Sequence, residues 1–154
     1  MYIAVVALTM LILPLVSIAI DYYLHPSASS IVFLVGRWFV FWGVGVRLTL
    51  AGMRQFFQPS FTAKQIFHST SEDVLPIIRE LGLANFSVGV VALISLVIPS
   101  FIFPSAISAA IFYGVAGLRH IAERSRSFNE NLAMVSDIFI AIVLMIFVGV
   151  SSLS

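Results

Sequence analysis

The chain has 154 residues, of which 60% are hydrophobic and only 10% are charged, with a formal net charge of +1. Ordinary soluble domains are roughly a quarter charged, so lipid is the natural solvent for this chain, and its few scattered Lys and Arg residues exclude a nucleic-acid surface. Cysteine is absent, which excludes disulfides, thiol relays and thiolate metal sites.

Residues Tyr2 to Ile20 form an apolar run long enough to span a bilayer, with Pro14 inside it as an expected kink. Ser17-Ile18-Ala19 would fit a signal-peptide cleavage site, but a positive amino-terminal region is missing, so a retained helix is expected. Asp21, Tyr22, Tyr23 and His25-Pro26 mark an interface and a turn. The second span is expected over Ile31 to Ala51, with Trp38 and Trp42 on it and Arg37 and Arg47 inside it. Gln58-Pro59 ends that region, and Phe61 to Ser71, with Lys64 and His68, reads as a loop or a short interfacial helix.

Ser71-Glu72-Asp73 has the hydroxyl and acidic residues of a helix start. The third span follows over residues 77–98, opened by Arg79-Glu80-Leu81-Gly82-Leu83-Ala84-Asn85. Pro99 to Pro104 is an uncharged hairpin. The fourth span runs from Ser105 to Ile121, with Ala106, Ala110 and Gly114 on a small-residue stripe that admits a close neighbour helix. Glu123 to Asn131 is a polar loop, and the fifth span covers Leu132 to Val150. The chain therefore predicts an all-α polytopic integral membrane protein in a single transmembrane domain. Spans two to five form a four-helix bundle, and the amino-terminal helix lies peripheral to it.

Positive residues collect on the cytoplasmic side of membrane proteins. Arg54, Lys64, Arg79, Arg119, Arg124 and Arg126 lie in or beside the second and fourth loops. The first and third loops and both tails hold no Lys or Arg. This bias of six against none predicts a cytoplasmic amino terminus and an external carboxyl terminus.

Ionisable groups within spans are costly and face a bundle interior or a wet cavity. Arg47, Arg79, Glu80, Asn85, His120 and Asp137 are all expected in the cytoplasmic half. Each ionisable group except Arg79 shares its helical face with small residues, for example Gly43, Arg47 and Ala51, or Glu80, Ala84 and Ser87. These faces are expected to point inward, with Tyr113 on the same stripe as His120. Arg47 should pair with Asp137 or Glu80, and the remaining carboxylate should meet Arg79 or His120. His120-x-x-Glu123 places two weak candidate metal ligands on one face, but such a pair is common by chance and no metal is expected.

Gly36-Arg37-Trp38 with Gly43 and Gly45, then Leu81-Gly82 and Ser87-x-Gly89, is similar to the pattern of DoxX-like membrane proteins, small four-helix bundles of the bacterial inner membrane. Arg79 to Asn85, Phe112 to His120 and Asn129-Glu130-Asn131 resemble a related, largely uncharacterised branch. The resemblance covers about residues 31–150 and leaves the first span as an added helix. It implies a quinone as one candidate cofactor.

The functional expectation is a small non-catalytic membrane protein, a subunit or partner of a larger complex or a homo-oligomer in contact with membrane lipids. Its cytoplasmic-half pocket would bind a lipid head group, quinone or anion through Arg47, Arg79, Glu80, Asn85, Tyr113, His120 and Asp137. The alternatives are a quinone-linked oxidoreductase component and a small transporter or channel.

Overall fold

The computed structural model describes residues 2–26, 29–67, 69–122 and 128–153. Among these there is no strand, and five helices are long and apolar enough to cross a membrane. We label the helices α1 (Ile3–Leu24), α2 (Ile31–Phe57), α3 (Pro59–Gln65), α4 (Val74–Ile94), α5 (Ile102–Ala122) and α6 (Phe128–Leu153). All but the short α3 are spans.

Pro14 does not break α1. A proline inside a helix clashes with the carbonyl four residues back, here that of Met10. The helix widens into a π-helical turn over Leu8–Ile12, just before the proline, and then continues to Leu24. Asp21 is therefore on the helix rather than in the loop. Helix α2 is also longer than expected. Nothing before Gln58 stops it, and Pro59 both ends α2 and opens α3, since the residue before a proline is driven out of the helical region. Helix α3 buries Thr62 and Ala63 against the bundle. It leaves Phe61 outside, under the Arg54 guanidinium at 3.7 Å.

Helix α4 stops at Ile94, short of the expected Ile98. The buried Ser95 hydroxyl donates back to the Ala92 carbonyl at 2.6 Å. Ile98, preceding Pro99, is extended at φ −119° and ψ 90°. A single 3₁₀ turn, Pro99–Phe101, leads into α5, which starts at Ile102 because Pro104 is tolerated in its first turn.

With no water to drive apolar faces together, packing in lipid depends on close approach. Helix α4 packs chiefly on α2, and α5 on α6. The α2–α4 seam is built on glycine. A Cβ on Gly52 would lie 2.5 Å from the Gly82 carbonyl and the Phe86 amide, and one on Gly89 would lie 2.5 Å from the Thr49 backbone. Gly36 is filled from across by the Phe147 ring of α6. The Ala106–Ala110 stripe is buried, and Gly114 faces Ala141, so that stripe serves the α5–α6 contact. Helix α1 lays Val6, Met10 and Ile18 on the core and leaves its other face exposed.

Candidate functional site

The seams fix the depth of every polar group. Gly45 sits beside Leu93, Thr49 beside Gly89 and Gly52 beside Gly82. Arg47 is therefore level with Val91. Glu80 lies eleven residues further along α4, roughly 16 Å away at helical rise. Arg79 and Glu80 are both exposed, as are Ala84 and Ser87. The expected inward stripe of the third span thus points out of the bundle, at the end where α2 finishes. It does not join Arg47. Gly82 and Gly89 claim the α2-facing side of the helix, so Glu80 turns away. Asn85 is buried, but its Nδ2 donates to Gln55 Oε1 at 2.8 Å, a bond between helices at the rim.

Four helices do converge on Arg47. Its Nη2 donates to Asp137 Oδ1 of α6 at 3.0 Å and approaches Ser136 Oγ at 3.5 Å. Its Nη1 lies 2.9 Å from Met10 Sδ of α1. The guanidinium carbon stands 5.2 Å from the Tyr113 ring centroid of α5, within cation–π range. The side chains of Arg47 and Asp137 are only 13% and 8% exposed. This is the expected pair, with Asp137 the carboxylate chosen.

The backbone contributes to the same centre. Helix α2 is π-helical over Val40–Val46, immediately before Arg47. The Arg47 amide consequently reaches the Trp42 and Val44 carbonyls instead of that of Gly43. The Gly43 carbonyl accepts the buried Tyr113 hydroxyl at 2.9 Å. Such π turns occur often at functional sites because they re-aim side chains and free carbonyls.

The centre lies close to one end of the bundle. Gly117 packs on Ile138, which sets the pair level with Leu118. Helix α5 ends four residues later, roughly 6 Å on. Half-buried His120 lies on that last turn, two residues beyond the level of the pair. Among the described residues no three His, Asp or Glu side chains gather as a metal-ligand set. Glu123, Arg124 and Arg126 lie outside the described residues.

A second polar group was not foreseen. Asp21 of α1 meets three groups at the opposite end. Trp38 Nε1 donates to it at 3.0 Å, Arg37 Nη1 reaches it at 3.4 Å, and His25 Nδ1 lies 3.0 Å away. One turn inward, Trp42 Nε1 donates to Ser17 Oγ at 3.0 Å. The signal was present in the spacing. Asp21 and Arg37 stand equally far, eight residues, from position 29 in the α1–α2 turn, so an antiparallel hairpin brings them level.

Five apolar spans, with charges paired inside them and basic residues gathered at one end, define a small multi-pass membrane protein. Over residues 4–153 the chain matches DUF6790, a family of unknown function, and it belongs to that family. No curated protein and no solved structure matches it.

Proposed function

We propose that the chain is a non-catalytic subunit or partner of a larger membrane assembly. Its cytoplasmic-half polar centre, Arg47, Asp137, Tyr113 and His120, receives the head group of a lipid or quinone. The observation that carries this reading is the convergence of four helices on one ion pair about one turn below the end of α5. A purely structural pair could lie anywhere along the seam. This one lies just below a half-buried histidine at one end of the bundle. Asp137 already neutralises Arg47, so a free anion gains little attraction there. A carbonyl or phosphodiester carried on an apolar tail suits the site better. Arg79, Glu80 and Asn85 are left out of the pocket by the register of α4.

The orientation, with the amino terminus cytoplasmic, rests on the Arg and Lys bias, and the inner-membrane location rests on the resemblance to DoxX-like bundles; both are part of the same proposal. The resemblance to DoxX-like bundles is what brings a quinone into consideration. More than half of each span's most apolar stretch stays outside the core, which leaves ample surface for lipid or for a partner. Native mass spectrometry of the protein from its own membrane tests the pocket. A retained lipid or quinone is expected in the wild type and should be lost in His120→Ala, a half-buried position outside the ion pair. Absence of any retained molecule, or equal retention in the variant, refutes the pocket.

A further inference from the structure

At the end of the bundle away from Arg47, α1 and α2 flank an open-sided cavity of about 630 Å³ lined by Asp21, Arg37, Trp38 and His25 with apolar Ile20, Leu24 and Leu34. It is separate from the Arg47 centre, which lies ten residues and roughly 15 Å further along α2. We propose that this cavity binds the head group of a zwitterionic glycerophospholipid, from the leaflet opposite the basic loops.

A guanidinium carries five donors in a rigid fork that matches phosphate oxygens. Arg37 commits Nη1 to Asp21 at 3.4 Å, its face lies 5.3 Å from the Trp38 ring, and its side chain is 31% exposed. The fork is held in place from one side and open on the other. Asp21, only 13% exposed, is fixed by Trp38 and His25 and in turn orients Arg37.

The balance of charge selects the ligand. Asp21 and Arg37 cancel as a pair, so a net anion gains no overall attraction from them. A zwitterion gains twice: its phosphodiester meets Arg37 and His25, and its ammonium meets Asp21. The walls favour a lipid over a free phosphodiester. Ile20 and Leu24 are 53% and 68% exposed and continue from the cavity onto the surface of α1, where acyl chains would lie.

The test uses the full chain in detergent, titrated with phosphatidylethanolamine and phosphatidylglycerol of identical chains and read by native mass spectrometry. We expect phosphatidylethanolamine to be retained at least about fivefold better, and Arg37→Gln or Asp21→Asn to lower its retention about tenfold, the loss of one charge-assisted contact. His25→Ala changes a side chain that is 64% exposed, so it leaves folding intact. It should weaken retention about threefold. His120→Ala should leave this site unchanged, which separates it from the pocket proposed above. Equal retention of the two lipids, or wild-type retention in His25→Ala and in whichever of the other two variants folds, overturns the proposal. Displacement of the lipid by millimolar soluble glycerophosphoethanolamine would overturn the assignment to a lipid.

Discussion

Removing either partner of the Arg47–Asp137 pair should destabilise the protein strongly, and removing both should cost less than the sum. The two groups meet at 3.0 Å with side chains 13% and 8% exposed. With charge centres about 4 Å apart and an effective dielectric near 20, their attraction is about 4 kcal/mol. Arg47→Leu leaves Asp137 buried with its charge uncompensated. Asp137→Leu does the same to Arg47. Breaking one side of a buried pair costs about 3–5 kcal/mol in known cases, whereas an apolar replacement of both is often nearly neutral. For a chain of this length, 3 kcal/mol corresponds to a fall in Tm of roughly 6–12 °C. The assay is a double-mutant cycle of Arg47→Leu and Asp137→Leu, read as thermal unfolding in detergent with size exclusion as a check on assembly. The double variant should recover at least about 2 kcal/mol against the summed single losses. A parallel cycle with Glu80→Leu should be additive within about 0.5 kcal/mol, because the seam puts Glu80 far from Arg47. Additivity at Asp137, or coupling at Glu80, would refute the register deduced from the glycines.

Gly52→Ile should force α2 and α4 apart and cost about 1–3 kcal/mol as overpacking, measured as a lower Tm, while Gly149→Ala, with open space around it, should change little. Asn85→Leu should cost about 1 kcal/mol by orphaning Gln55, and Gln55→Leu combined with it should cost less than both single losses added. A periplasm-active reporter fused after the carboxyl terminus should work and a cytoplasm-only reporter should not; the reverse would invert the proposed topology. Elemental analysis of untagged protein should find no stoichiometric iron or zinc, and a metal that disappears in His120→Ala would show that the centre is a metal site.

The five spans and the need for charge pairing were legible in the sequence, because each depends on local composition. An apolar run of about twenty residues reads as a span whatever it packs against, and Arg47 and Asp137, four and five residues inside their expected spans, had to find partners. Boundaries were less legible. Polarity alone places Asp21 and Arg54 in loops, but each is carried on a helix that only a proline or a turn could stop. Which groups share a level with Arg47 was not legible, for a related reason. Counting from a loop assumes that helices end level, yet α2 runs ten residues beyond Arg47 while α5 ends four residues beyond the same level.

By itself the sequence determined the all-helical class, the number of crossings and the end at which positive charge collects. Those properties are sums over neighbouring residues. Only the tertiary structure decided that Asp137 rather than Glu80 meets Arg47, that Met10 of the first helix completes that centre, and that Asp21 and Arg37 form a second one. The choice rests on register. A glycine contact such as Gly52 on Gly82 locks two helices at one axial offset and one rotation. That offset sets which side chains from distant parts of the chain come within reach of one another.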